Sequence, residues 1–158
     1  MTLKKGTHLK SILFVCLGNI CRSPLAEAIA KKIASKNGVS LHIDSAGTSD
    51  WHEGESPCEN SIKVAKNHDI DITNQKSRLV KLDDNISFDY VVAMDENNYQ
   101  NLKQLGFTNL YKMGDFGGFN GSCVPDPYHY KEFEGFEKVY AMLELCIDDF
   151  LKTKGLLK

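Results

Sequence analysis

A cysteine, an arginine and a serine stand at a fixed spacing near the start of the chain. Cys16 is followed by five residues and then by Arg22 and Ser23. A cysteine thiolate is a strong nucleophile, and the planar guanidinium of arginine can hold two phosphate oxygens at once. The spacing therefore predicts a loop that holds a phosphate group, with a sulfur nucleophile at its base.

The segments on either side of this loop favour that interpretation. Residues 11–16 (SILFVC) are continuously apolar, which is typical of a strand buried on both faces of a parallel sheet. The pattern becomes helical from Pro24, and we expect Ser23 to cap this helix, which ends at residues 37–38. The Ser23 hydroxyl could also donate a hydrogen bond to the Cys16 thiolate. Loop N–H groups, helped by Gly18, and the helix dipole both attract an anion and favour a thiolate.

The rest of the chain alternates strand and helix patterns. Further strands are predicted at residues 41–44, 88–94 and 109–113, helices at 58–68, 96–105 and from about 136 to 150, and loops at 45–57 and 114–130. This alternation predicts an α/β fold: one domain with an open, mostly parallel four-stranded sheet and helices on both faces. We expect that domain to span residues 10–158, after a flexible basic leader at residues 1–9. Ligands of such sheets bind beyond the carboxyl ends of the strands, where the Cys16 loop lies.

Composition disfavours several classes of function. The net charge of −2 over 158 residues gives no general attraction to nucleic acid, and no apolar stretch is long enough for membrane insertion. The five cysteines are irregularly spaced, which favours reduced thiols in a cytoplasmic protein over a disulfide framework. No second Cys/His pair completes a zinc site with Cys16 and Cys21, so we expect no metal and no cofactor.

The stretch CLGNICRSP, residues 16–24, closely resembles the signature loop of the low-molecular-weight protein tyrosine phosphatases. The resemblance extends to residues 45–48 (SAGT), 93–95 (AMD) and 126–128 (DPY), and it covers the chain from about Ser11 to the last helix. It implies a cytoplasmic, metal-independent hydrolase. Such an enzyme cleaves phosphotyrosine in proteins, and other aryl phosphates, through a phosphocysteine intermediate. Inorganic phosphate and other oxyanions would bind as product or inhibitor.

The same resemblance implies a role for each site residue. Cys16 would attack phosphorus, Arg22 would hold the equatorial oxygens, and Asp126 would protonate the leaving phenolate and then activate water. Trp51 and Tyr128 would form the aromatic walls of a slot that suits phosphotyrosine and is too deep for phosphoserine. The remaining predicted phosphate-binding residues are those of the loop: Leu17, Gly18, Asn19, Ile20, Cys21 and Ser23.

Two loop residues carry further implications of the resemblance. Cys21 matches a second loop cysteine of many members, and a reversible disulfide with Cys16 would protect the nucleophile from over-oxidation. A packing role for Cys21 is the alternative. Ile20 is similar to the residue of the tyrosine-directed members, because the related arginine phosphatases carry threonine at that position. His68 and Asp95 also match family positions, and we expect them to be structural supports.

Other functions are possible for this loop. A thioredoxin-coupled arsenate reductase needs two further relay cysteines close together, whereas Cys58, Cys123 and Cys146 are far apart in the sequence. A phosphoryl carrier would preserve its phosphocysteine, which Arg22 together with a water-activating Asp126 argues against. A catalytically silent phosphotyrosine-binding module would be expected to lack one of the reacting groups.

Overall fold

The core of the protein is a parallel sheet of four strands. The computed structural model describes residues 9–127 and 133–157. The strands are β1 (Ser11–Cys16), β2 (His42–Gly47), β3 (Tyr90–Ala93) and β4 (Leu110–Lys112), in the spatial order β2-β1-β3-β4. All three strand pairs are parallel. After β1 the chain forms β2 on one side of β1, and it later returns to form β3 on the other side. Cys16 therefore ends a central strand at the point where the direction of strand order reverses.

Helices cover both faces of this sheet. They are α1 (Arg22–Lys36), α2 (Glu59–Asn67), the short α3 (Asp84–Ser87), α4 (Glu96–Gln104) and α5 (Glu134–Thr153). Ile12 and Phe14 of β1 pack with residues of α1, α2 and α5. Leu13 and Val15 point to the opposite face and pack with Leu102 of α4. The predicted α/β fold is thereby confirmed, and the whole of β1 is buried as its apolar sequence indicated.

Some predicted boundaries are wrong for identifiable reasons. Strand β2 continues to Gly47 and does not end at Asp44, because Ser45 and Ala46 stay in register with β1. The segment predicted as the start of a loop is therefore mostly strand. Strand β3 begins at Tyr90 and not at Phe88, because the short helix α3 occupies the residues just before it. Helix α3 is too short for an amphipathic pattern that would predict it.

The first helix begins one residue earlier than the expected capping residue. Helix α1 starts at Arg22, its N-cap is Cys21, and no side chain makes a capping hydrogen bond there. Ser23 therefore lies inside the first turn and is not the cap, because its hydroxyl is engaged with the loop that precedes the helix.

The two ends of the domain are only partly described. Of the predicted leader at residues 1–9, the structure describes Leu9 alone, which is exposed. Within the described ranges, none of the helices is both long enough and apolar enough to cross a membrane.

Candidate active site

The loop from Leu17 to Cys21 crosses directly over the end of β2. Thr48 and Ser49 donate backbone hydrogen bonds to the carbonyls of Cys16 and Leu17, at 3.0 and 2.9 Å. A Cβ atom on Gly47 would lie only 2.7 Å from the Leu17 carbonyl oxygen. A side chain at position 47 would therefore push the loop away from the sheet, and glycine is required where the two backbones meet.

Asn19 shapes the loop from inside. Its φ of 56° lies in the left-handed region, which asparagine tolerates better than most residues. Its Nδ2 group donates to the hydroxyls of Ser23 and Ser45 at 2.8 and 2.9 Å, and its Oδ1 accepts from the backbone N–H of Arg78 at 2.9 Å. Its own backbone N–H points at the Cys16 sulfur, 3.3 Å away. One buried amide thus fixes both the turn of the loop and its distance from the sheet.

The Cys16 sulfur lies at the base of the loop and is almost fully buried. Ser23 Oγ is 3.0 Å from this sulfur. Because the same hydroxyl oxygen accepts a hydrogen bond from Asn19, its own proton is available to donate to a thiolate. The sulfur therefore has two donors, the Ser23 hydroxyl and the Asn19 backbone N–H.

A chain of hydrogen bonds continues from this loop into helix α1. Ser45 Oγ accepts from Asn19 and donates to Glu27 Oε1 at 2.6 Å. The other carboxylate oxygen of Glu27 pairs with Lys31 Nζ at 2.6 Å. Glu27 is buried, and the lysine compensates its charge. The polar interior of the loop is therefore supported by paired groups out to the surface of the helix.

Arg22 is held from two sides before any substrate binds. Its Nη1 donates to Asp95 Oδ2 at 2.8 Å and to the Val124 carbonyl at 3.0 Å. Burial alone disfavours the charged guanidinium, but the Cys16 sulfur, Asp95 and Asp126 together raise the pKa of Arg22 above its ordinary value. The cation is therefore permanent, and its orientation is set by the protein.

Asp95 and Val124 connect this arginine to two other parts of the fold. Asp95 is the N-cap of α4, where its Oδ1 accepts from the backbone N–H of Asn98 at 2.8 Å. Val124 donates its backbone N–H to the Met94 carbonyl at the end of β3, at 2.9 Å. Asp126 lies two residues beyond this anchor, near enough for its charge to act on Arg22.

These groups surround a cavity of about 140 Å³ at the carboxyl end of β1. The exposed Trp51, with 82% of its surface accessible, and the half-exposed Leu17 stand at its mouth. The cavity is lined by Cys16, Leu17, Gly18, Ile20, Cys21, Arg22, Ser49, Trp51, His52 and Asp126. A thiol at the base, a guanidinium beside it and a carboxylate facing both can perform nucleophilic substitution at phosphorus.

Most of the predicted site residues meet at this cavity. The exceptions are Asn19 and Ser23, which lie behind the loop and support it, and Tyr128, which falls outside the described residues. The sequence reasoning missed Ser49 and His52. The His52 ring would lie 3.1 Å from a Cβ placed on Gly18, so this glycine also makes room for the histidine. The one available signal was that His52 follows Trp51 directly in a polar loop.

Metal chemistry has no evident site here. Across the residues that the structure describes, there is no group of three or more histidine, cysteine or acidic side chains that could hold a metal ion.

Comparison with known proteins decides the family. The sequence matches the family model of the low molecular weight phosphotyrosine protein phosphatases over residues 11–156. The chain belongs to this family. It is 39% identical to the low molecular weight protein-tyrosine-phosphatase PtpA of Staphylococcus epidermidis over 150 aligned residues. The alignment covers 92% of this chain and 96% of that protein.

Solved structures of low-molecular-weight phosphatases share the fold over almost the full chain. A protein tyrosine phosphatase from Entamoeba histolytica, crystallised with Hepes in its active site, is 37% identical with a TM-score of 0.85, covering 94% of this chain and 99% of that one. The Drosophila arginine phosphatase is 30% identical with a TM-score of 0.86, covering 90% and 96%. The predicted enzyme class, a cysteine-dependent protein tyrosine phosphatase, is confirmed. These comparisons give no support to a phosphoryl carrier, an arsenate reductase or a silent binding module.

Proposed function

We propose that Cys16, Arg22 and Asp126 carry out this hydrolysis of phosphotyrosine in proteins, at the cavity above β1. The observation that supports the assignment is their common position: all three line one cavity, with the sulfur at the base of a loop that is ready to bind an anion. Inorganic phosphate, and other oxyanions of the same shape, occupy the loop as product or inhibitor.

In the first step the Cys16 thiolate attacks phosphorus. The S–P bond forms while the bond from phosphorus to the tyrosine oxygen breaks, and Asp126 gives its proton to the departing phenolate. Arg22 and the loop N–H groups hold the three remaining oxygens. Each donor aimed at charge that develops in a transition state is typically worth about 10²–10³ in rate. Because Asp95 and Val124 already orient Arg22, little reorganisation is needed.

In the second step water replaces the sulfur. Asp126, now ionised, takes a proton from the water as its oxygen attacks phosphorus, and the S–P bond breaks. Cys16 leaves as a thiolate, to which the Ser23 hydroxyl and the Asn19 N–H donate. The first turn of α1 adds its positive end. Inorganic phosphate then departs, and Asp126 holds the proton needed for the next cycle.

The mouth of the cavity favours an aryl substrate. Trp51 and Leu17 are exposed apolar side chains beside the entrance, and they can flank a phenyl ring whose phosphate reaches the sulfur. The shorter phosphoserine would leave its phosphorus away from Cys16. Tyr128 is proposed as the second aromatic wall. Ile20, buried at the cavity lining, presents a branched apolar side chain as in the tyrosine-directed members.

Substrate class can be tested with three peptides of identical sequence that carry phosphotyrosine, phosphoserine or phosphoarginine. In the presence of a metal chelator, kcat/KM for phosphotyrosine should exceed the other two by more than about 100-fold. The matched variant Ile20→Thr should shift the ratio toward phosphoarginine. Equal rates on the three peptides, or reduction of arsenate by thioredoxin at a rate above phosphate release, would reject the proposal.

Three other expectations remain proposals. Residues 10–158 form the catalytic domain and residues 1–9 a basic leader. The protein acts in the cytoplasm, for which the five reduced cysteines are the support. A Cys16–Cys21 disulfide protects the nucleophile, for which the support is that both residues belong to the same short loop and line the same cavity.

A further inference from the structure

Cys21 and Cys58 lie where two helices begin. Cys21 is the N-cap of α1 and Cys58 is the N-cap of α2. The backbone N–H of Cys58 donates to the Ile20 carbonyl at 2.7 Å. Because that carbonyl belongs to the peptide unit that ends on Cys21, standard backbone dimensions limit the Cα–Cα distance of the two cysteines to about 7 Å. Disulfides span Cα–Cα distances of about 4.4–6.8 Å.

A serine of α2 holds the two cysteines in place. The Ser61 hydroxyl donates to the Cys21 carbonyl at 3.1 Å, and the Cys58 sulfur lies 3.1 Å from the same hydroxyl oxygen. The Cys58 side chain is therefore directed toward the start of α1 and not toward solvent alone. The Cys58 thiol and the backbone carbonyl of Cys21, which are distant in the sequence, thus meet at one hydroxyl group.

The two thiols differ in their access to solvent. Cys21 has 6% of its surface exposed, whereas Cys58 is half-buried. Both residues stand at the start of a helix. Of the two thiols, Cys58 is therefore the more accessible to an oxidant from solution.

We propose that Cys21 and Cys58 form a second redox site, which a hydroperoxide converts to a disulfide. The Cys58 thiolate attacks one peroxide oxygen, the O–O bond breaks, and the other oxygen leaves as water or an alcohol after protonation. Cys58 is then a sulfenic acid. The Cys21 thiolate attacks this sulfur, the S–O bond breaks, and the hydroxide leaves as water. Two thiols lose two electrons, and these reduce one peroxide.

This site affects the catalytic loop because Cys21 can bond only one sulfur at a time. A Cys21–Cys58 disulfide excludes a Cys16–Cys21 disulfide, and it leaves Cys16 as a thiol. It also joins the starts of α1 and α2 covalently. A dithiol reductant returns both residues to thiols by exchange. None of these steps uses the phosphatase reaction.

The disulfide can be found by treating the protein with hydrogen peroxide, unfolding it, alkylating the remaining thiols and digesting with trypsin. Cleavage after lysine and arginine places Cys16 and Cys21 together in residues 11–22 and Cys58 in residues 37–63. We expect these two peptides to be linked, and in the linked pair we expect fragmentation to place the bond on Cys21 and the alkyl group on Cys16. Molecules with a Cys16–Cys21 disulfide instead give residues 11–22 closed on themselves, and the two products are counted separately. The linked pair should be lost in Cys58→Ser and retained in the control Cys123→Ser, which removes an exposed cysteine elsewhere.

Two results would overturn the proposal. One is an internal disulfide within residues 11–22 together with fully alkylated Cys58 in the wild-type protein. The other is a bond between Cys58 and Cys16 in place of Cys21. Phosphatase activity of unoxidised Cys58→Ser should equal that of the wild type, since Cys58 does not line the catalytic cavity. Failure of the Cys16 mechanism and failure of this redox site are therefore distinguished by separate readouts.

Discussion

Asp126 and Arg22 line the same cavity. Arg22 Nη1 donates to two acceptors other than Asp126, the Asp95 carboxylate and the Val124 carbonyl. The charge of Asp126 contributes to the raised pKa of Arg22. Replacing Asp126 should therefore remove a proton donor without releasing the group that binds phosphate.

We expect Asp126→Ala to slow substrates according to their leaving group. A poor leaving group such as phenolate needs the proton, and kcat/KM for phenyl phosphate should fall by about 10²–10⁴. The kcat/KM for para-nitrophenyl phosphate should fall much less, because nitrophenolate leaves unprotonated. Asp115→Ala, which removes an exposed carboxylate in the same segment, is the matched control and should change neither value. An equal loss on both substrates would show that Asp126 is not the acid.

The polar residues of the loop were only partly predictable. The Cys16 to Arg22 spacing indicates the phosphate loop, and asparagine at position 19 is a residue type that adopts left-handed backbone and bonds to its neighbours. Of the two functions expected for Ser23, the contact with the sulfur is found and the helix cap is not. Its position before proline is typical of a cap, yet the hydroxyl contacts the Cys16 sulfur and Asn19.

Among the secondary-structure elements, α4 matters to the site through its N-cap residue. Asp95 uses one carboxylate oxygen to cap the helix and the other to pair with Arg22. The helix was predicted at 96–105 and is found at Glu96–Gln104, so its position followed from the sequence. The ion pair did not, because it joins the start of α1 to the N-cap of α4, two positions that are 73 residues apart in the sequence.

The two tasks of Asp95 can be separated with two substitutions. Asparagine keeps an oxygen for the cap, whereas alanine removes it, and neither can pair with Arg22. The free energy of unfolding should therefore be about 1 kcal/mol lower for Asp95→Ala than for Asp95→Asn. The loss of kcat/KM should be the same in both, on the order of tenfold for one charge-assisted hydrogen bond. Wild-type kcat/KM in Asp95→Asn would contradict a positioning role for this carboxylate.

At the scale of the whole molecule, α5 closes one face of the sheet with two buried titratable groups. Burial, with Glu144 and Glu137 nearby, raises the pKa of Tyr140 to about 12. Burial and Asp149 likewise raise the pKa of Cys146 to about 12. The Tyr140 ring stacks on His68 at 3.8 Å, in agreement with the expected supporting role of that histidine. Both groups must stay protonated for the helix to remain packed.

This burial predicts alkaline destabilisation. The unfolded chain loses the Tyr140 proton near pH 10 and the folded chain only near 12, so between these values the unfolded state binds fewer protons and stability falls as pH rises. Below pH 10 the stability that comes from the raised pKa of Tyr140 in the folded state is fully present. Each group lowers the free energy of unfolding by about 1.4 kcal/mol per pH unit between its pKa in the unfolded chain and its pKa in the folded chain. Urea unfolding should show a shallower decline for Tyr140→Phe, which keeps the ring; an unchanged slope would contradict the assignment.

The sequence predicted the strands and helices better than it predicted which distant residues lie next to each other. A continuous apolar run located β1 correctly, because a strand buried on both faces needs no polar positions. The order β2-β1-β3-β4 and the meeting of Cys58 with Cys21 depend on where long connections return. Cys58 looked isolated in the sequence for this reason, although its backbone bonds to the catalytic loop.

The central claim is that Cys16 carries the phosphoryl group during turnover. The direct measurement is to mix the enzyme with an aryl phosphate, quench it with acid within the steady state, and digest it for mass spectrometry. We predict a phosphoryl group on residues 11–22, located at Cys16, in the wild type and in the control Cys123→Ser. In Cys16→Ser, turnover should fall to the background rate while phosphate still binds. A phosphoryl group on any other residue, or substantial turnover by Cys16→Ser, would contradict this account.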